Sequence, residues 1–205
     1  MSLPKGTTVR SGYNPLQPRV PKGHGDDSGE WTEAANGSSG TASDVTEAHQ
    51  RRVARFKQLR QLRPGDSSAG YYNYGTPIEG EAQWALPEAI EVIEDVAKRW
   101  RDETGKPPFG VGNISLKTGK PYDRHKEHGD GVGIDIRPVR KDGKQVGGTN
   151  YDTNPAYDRE ATQRLVYMFL KTGRVEKICF NDPKVKGVER CRDHDDHLHV
   201  RIKLP

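Results

Sequence analysis

The sequence predicts an α+β fold: a small antiparallel sheet flanked by two or three helices, with a disordered N-terminal arm outside it. Short stretches such as Val132–Pro138 and His197–Leu204 alternate apolar and polar residues with the period of a strand. Two longer stretches, beginning near Pro87 and Asp158, repeat apolar residues at helical spacing instead. The first 43 residues show neither period and are rich in Gly, Pro, Ser and Asp. The composition agrees with a division of this kind. Of 205 residues only 31% are hydrophobic and 30% are charged, which is too polar for one compact unit of this length.

In chain order, residues 1–43 form the arm. Within it the patch Pro18-Arg19-Val20-Pro21-Lys22-Gly23 and the aromatic Trp31 stand out, either as a short docking motif or as features of a tail. Residues 44–64 are read as a basic amphipathic helix. Asp44 and Glu47 make a capping box, Val45, Ala48, Val53, Phe56, Leu59 and Leu62 mark one side, and Pro64-Gly65 stops it. Its other side carries Arg51, Arg52, Arg55, Lys57, Arg60 and Arg63, either a contact for nucleic acid or an anionic surface or, as is usual for such a pattern, a solvated face. The domain proper is expected over 65–205.

Tyr71-Tyr72-Asn73-Tyr74 reads as a short strand or an aromatic edge to a cleft. The next helix has Pro87 in its first turn, Leu86, Ile90, Ile93, Ala97 and Trp100 on its buried side, and an end near Thr104-Gly105. Phe109–Ser115 suits a strand. Val132–Pro138 is another, sending Val132, Ile134 and Ile136 to one face and Gly133, Asp135 and Arg137 to the other. A helix over 158–172, closed by Gly173, buries Ala161, Leu165, Met168 and Phe169. Val175–Phe180 and His197–Leu204 are the last strands.

The net charge of +4 and the pI near 9.0 suit a polyanionic partner, nucleic acid or an acidic cell-wall polymer, and equally a merely soluble surface. With no phosphate-cradling loop visible, nucleic acid is not the expected partner. No run of about 18 apolar residues exists, so no membrane span is expected, and Met1–Arg10 lacks the apolar core of a signal peptide. Cys179 and Cys191 lie twelve residues apart. They can pair in an oxidising compartment or remain two thiols, and spacing does not decide between these.

Chemistry concentrates in two segments, Arg124–Asp135 and His194–His199, which hold five of the seven histidines: His125, His128, His194, His197 and His199. On the last strand His197, His199 and Arg201 share one face while Leu198, Val200 and Ile202 share the other. Asp135 stands on the polar face of an otherwise apolar strand, where an unpaired carboxylate is costly and a cation offsets the cost. Imidazole and carboxylate are donors suited to Zn²⁺, whose catalytic sites use three protein ligands and keep a position open for water.

The spacing His128-x-x-Gly131-x-Gly133-x-Asp135, completed by His197-x-His199, resembles the signature of the lysostaphin, D-Ala-D-Ala carboxypeptidase and hedgehog-type metallopeptidases, with Gly133 where those families carry Ala. It is more similar still to penicillin-insensitive murein endopeptidases. That likeness rests on Gly112-Asn113-Ile114-Ser115, on His125 three residues before His128, on Phe180-Asn181-Asp182-Pro183 and on His194–Arg201. It spans roughly Tyr71–Ile202. The resemblance implies that His128, Asp135 and His199 bind one Zn²⁺, that His197 is the general base, and that His125 and His194 line the site. The chemistry is consistent, because Zn²⁺ lowers the pKa of its water towards about 7 and an imidazole with an ordinary pKa of about 6.5 takes up that proton near neutrality.

Neighbouring residues admit two roles each. Glu127, where relatives often carry Ser, is either an acceptor orienting a histidine or a surface charge. Asp193, Asp195 and Asp196 either orient His194 and His197 or are solvated loop acids. Arg137 and Arg201 hold a carboxylate of a peptide substrate or make structural ion pairs. Gly131 and Gly133 are expected to clear space for substrate backbone.

The expected activity is that of a zinc-dependent peptidoglycan endopeptidase, hydrolysing cross-links that contain D-amino acids in murein stem peptides. The alternatives are a D,D- or L,D-carboxypeptidase of the same group and a non-catalytic cell-wall-binding domain that retains metal; a histidine-metal nuclease is a more distant one. Such an activity belongs to the periplasm or the extracellular wall. Without a visible signal peptide, delivery is expected through a secretion system or by lysis, as for a secreted effector or a phage lysis protein.

Overall fold

The computed structural model describes residue 54 and residues 58–74, 81–119 and 128–204. The expected arm, most of the basic helix, and His125 and Glu127 lie outside these residues. Within them the fold is α+β, with two helices, a two-stranded sheet and a five-stranded sheet.

The chain enters through β1 (Arg60–Gln61), which pairs antiparallel with β3 (Trp84–Ala85). The basic helix was expected to run on to Arg63, so this is a correction. Leu59 and Leu62 are buried as expected, but they flank an extended segment whose Leu62 N–H donates to the Gln83 carbonyl at 2.8 Å. Pro64 disfavours a helical conformation at Arg63, and pairing with β3 satisfies backbone groups that a terminal helical turn leaves open. Both leucines join the main core, which therefore begins before residue 65.

The large sheet has the order β2-β4-β5-β7-β6, with β2 (Tyr71–Asn73), β4 (Phe109–Val111), β5 (Gly133–Ile136), β6 (Val175–Cys179) and β7 (Leu198–Ile202). The strands that carry the histidines and Asp135 pair antiparallel, as expected, but β2 and β4 are parallel. The reason lies between them. Helix α1 (Pro87–Thr104) carries the chain back across the sheet, and a crossover helix returns it in the same direction.

Pro87 occupies the first turn of α1, and Gly105, in the left-handed conformation (φ 61°), ends it by donating its N–H to the Arg101 carbonyl. Its buried residues are Ala89, Val92, Ile93, Val96, Ala97 and Trp100. Helix α2 (Arg159–Lys171) starts at Asp158, whose side chain accepts the Ala161 N–H at 3.0 Å. Both helices share one core with Val111, Ile134, Ile136, Ile178, Leu198, Val200 and Ile202 of the sheet. Phe109 is its aromatic centre, meeting Trp100 and Phe169 edge to face at 6.2 and 6.0 Å.

Alternation along the strands then fixes the other face. With Ile134, Ile136, Leu198 and Val200 turned to the helices, Asp135 and His199 must project from the opposite side.

Candidate metal centre

The register of the central strands brings the site together. β5 pairs with β7 so that Asp135 is directly opposite His199, and Gly133 opposite Arg201. The main chain of Asp135 is held from its other edge as well: its carbonyl accepts the Gly112 N–H at 2.7 Å, and its N–H donates to the Asn113 carbonyl at 3.0 Å. The Gly112-Asn113-Ile114-Ser115 stretch thus fixes the carboxylate through backbone bonds, with Ile114 and Ser115 buried beneath it.

Asp135 is 8% exposed, and both carboxylate oxygens face imidazoles. His128 Nε2 lies 3.2 Å from Oδ2 and His199 Nδ1 lies 3.2 Å from Oδ1. The His128 and His199 rings meet edge to face with centroids 4.9 Å apart. One donor atom from each of His128, Asp135 and His199 falls within 4.8 Å of the others, and all three residues are buried. Such a group can hold a metal ion.

His197 Nε2 is 3.9 Å from Asp135 Oδ1, while its Nδ1 is 2.9 Å from Asp196 Oδ1. His194 completes the rim, its ring 4.6 Å from that of His197 and 5.8 Å from that of His199, with its Nδ1 2.6 Å from the Arg192 carbonyl. Of the sequence-expected site residues, five therefore converge: His128, Asp135, His194, His197 and His199.

The electrostatics follow from this packing. Burial pushes the Asp135 carboxyl up, but the imidazole hydrogen bonds from His128 and His199 outweigh it and hold the group well below the usual carboxylate range. Burial alone lowers His128, yet the Asp135 carboxylate and the Gly133 backbone raise it above its ordinary value. His197 is raised in the same way, with burial opposed by the carboxylates of Asp196 and Asp135. The reciprocal hydrogen bond holds Asp196 down. Imidazoles poised to be positive around a buried carboxylate are what a cation of the same charge sense replaces.

The loop bearing His194 and His197 is tied down several times. Cys179 and Cys191 form a disulfide, which joins the end of β6 to the loop. Asn181 accepts the Cys191 N–H at 3.0 Å and donates its side-chain amide to Asp195 Oδ1 at 2.8 Å, and its own N–H reaches the His194 carbonyl. Asp182 is buried beneath, accepting from the Tyr157 hydroxyl at 2.9 Å and from Arg159 Nε at 2.6 Å.

The sequence leaves Asp196 either to orient a histidine or to stand as a solvated loop acid, and the structure makes it the partner of His197. Adjacency in sequence carried no directional signal. Asp195 and Asp193 have other partners, Asn181 and Arg192. Arg201 is structural: Nη2 meets Asp130 at 2.6 Å and Nε meets Glu176 at 3.3 Å. Gly131 is also structural, contrary to the expectation of substrate access. Its φ is +75°, and a Cβ there would come 2.4 Å from Leu59 Cδ2 and 3.0 Å from the Leu86 nitrogen. Tyr74, expected in a short strand or an aromatic edge to a cleft, follows directly on β2. It lies next to the centre, where burial, with Asp135 and Asp196 nearby, raises its phenol well above the ordinary tyrosine value.

No helix among the described residues is long and apolar enough to cross a membrane. Comparison with protein-family models and with curated proteins finds no match to this chain.

Proposed function

We propose that this protein is a zinc-dependent peptidase acting on peptidoglycan stem peptides, similar to the penicillin-insensitive murein endopeptidases. The observation that carries the reading is the buried His128–Asp135–His199 group with a third imidazole, His197, turned towards it and backed by Asp196.

The donor set fits zinc. A tetrahedral ion with bonds of about 2.0–2.2 Å has ligand atoms about 3.3 Å apart. His128 Nε2 lies 3.2 Å from Asp135 Oδ2 and His199 Nδ1 lies 3.2 Å from Oδ1, and one donor atom from each of the three residues lies within 4.8 Å of the others, close to the spacing that one ion spans. Two nitrogens and one carboxylate oxygen match three-ligand catalytic zinc sites. His128, Asp135 and His199 would hold the ion, which when bound polarises the scissile carbonyl and acidifies water.

His197 is suited to the proton transfers. Asp196 engages Nδ1 and leaves Nε2 directed at the centre, so Nε2 takes the proton of the attacking water and then delivers it to the departing amine nitrogen. His194 packs on His197 and forms one wall. The cell-wall substrate, and delivery to the periplasm or the cell surface, rest on the motif resemblance from Gly112 through Arg201.

Digestion of purified sacculi, read by mass spectrometry of the released muropeptides, tests the reading. The zinc-loaded protein should convert cross-linked dimers to monomers, while His128→Ala should release nothing above buffer. Intact dimers after incubation with the zinc-loaded wild type would overturn it.

A further inference from the structure

Beside the candidate metal centre the polar face of the sheet carries a cation that, among the described residues, has no carboxylate partner. Arg137 follows β5, and its N–H donates to the Gly110 carbonyl at 3.0 Å, so the strand pairing continues and its side chain emerges on the face of Asp135. The guanidinium lies over the Tyr74 ring at 3.8 Å and over the Tyr72 ring at 5.8 Å. Its polar contact is a long one, Nη1 to the Tyr72 hydroxyl at 3.4 Å.

Nearby arginines behave differently. Arg140 is held by Asp142, Arg159 by Asp182, Arg174 by Glu91 and Arg201 by Asp130. Among the described residues no carboxylate lies within ion-pair distance of Arg137.

The platform under it is built by glycines. A Cβ at Gly110 would come 2.8 Å from the Tyr72 ring, and one at Gly112 would come 2.6 Å from the Tyr74 ring. Only because Gly110 in β4 and Gly112 just after it lack side chains can both rings lie across this edge, beside Asp135. Gln83, itself buried, pins this edge by donating to the carbonyls of Tyr74 at 3.3 Å and Val111 at 3.1 Å. A flat guanidinium on an aromatic surface keeps its N–H edges free for a two-pronged contact with a carboxylate.

We infer that Arg137, supported by Tyr72 and Tyr74, is a subsite for a substrate carboxylate and selects peptides carrying one on the residue next to the scissile bond. This deepens the peptidase reading and rests on it. Arg137 is two residues from Asp135 on the same strand face, about 6.6 Å along the chain. One substrate residue advances about 3.5 Å, and a charge-assisted hydrogen bond spans about 2.8 Å. Together these place a carboxylate one residue beyond the cleaved peptide within reach. Either a C-terminal α-carboxylate or an acidic side chain on that residue supplies the group.

Calorimetric titration of the full-length, zinc-loaded His197→Ala protein tests this without turnover, using N-acetyl-D-alanyl-D-alanine, its C-terminal amide, and N-acetyl-D-alanyl-D-glutamic acid C-terminal amide. At least one of the two carboxylate probes should bind tenfold or more tightly than the uncharged amide, and which one does so identifies the source. Adding Arg137→Gln, which retains a flat polar group over Tyr74, should abolish the preference, and Arg137→Lys should retain part of it. On wild-type turnover of the preferred substrate, Arg137→Gln should act mainly through KM. Equal binding of all three probes, or a preference that survives Arg137→Gln, overturns the subsite. A preference that depends on Arg137 in a protein that cleaves no muropeptide would leave the subsite standing and remove the peptidase reading.

Discussion

Asp196 shows how much a single side chain decides at this site. Its carboxylate is one reason why His197 stays protonated to higher pH than an ordinary imidazole, and it fixes which nitrogen faces Asp135. Replacing it with Ala removes a raising influence, so the acid limb of the kcat/KM profile should move to lower pH. The rate should fall about 10–100-fold, the usual cost of losing an orienting partner. An acid limb that stays in place would show that Asp196 does not govern His197. By contrast, His197→Ala should retain bound metal and lose about 10²–10⁴-fold in rate, the typical weight of a general base. Asp196 stood beside Asp193 and Asp195 as a candidate, and which of the three meets His197 was not legible, since a carboxylate next to a histidine points anywhere until the loop is folded. His199 was legible on the polar face of β7, because the period of a strand fixes it, whereas His197 lies just before that strand, in the loop.

At the scale of elements, strand alternation carried most of the reliable information. It placed Ile134, Ile136, Leu198 and Val200 in the core and Asp135 and His199 opposite them. Both helices were legible from their apolar spacing and their ends, Pro87 and Gly105 in α1, Asp158 and Gly173 around α2. Where local patterns failed, long-range contacts had taken over. Leu59 and Leu62 have a spacing that suits a helix, yet Arg60–Gln61 is drawn into pairing with β3. Gly131 is expected to clear space for substrate backbone, and is instead a turn closed in by the Leu59 side chain and the Leu86 backbone nitrogen. Gly131→Ala should therefore lower stability by about 1–3 kcal/mol, combining an unfavourable φ with overpacking. Denaturant midpoints would register that loss, with metal content per folded chain unchanged. An unaltered midpoint would mean that the turn is not constrained as described.

For the whole molecule, the site is a buried cluster of charges whose stability depends on what occupies it. In the metal-free protein His128 and His197 have raised pKa values, so their contribution is complete below about pH 6.5 and is lost as pH rises through the folded-state values. Asp135 is depressed, so its contribution is complete above about pH 4 and is lost as acid reaches its folded-state value. Metal-free protein should be most stable between those limits, and its Tm should decline from pH 6 to 8.5. Ligand imidazoles bind metal in the neutral form, so the increase in Tm on adding Zn²⁺ should grow over the same range. Thermal melts with and without chelator would contradict this if the metal-free Tm were flat or rose towards pH 8.5. The antiparallel pairing of β5 with β7 explains why such a cluster exists at all: segments 64 residues apart in sequence meet at Asp135 and His199. Metal content per chain, measured by mass spectrometry on wild type and on single alanine variants, tests this directly. One ion per wild-type chain is predicted, retained in His197→Ala and lost in His128→Ala, Asp135→Ala and His199→Ala. A wild-type chain that takes up no ion, or a His128→Ala chain that binds as much, would contradict the account.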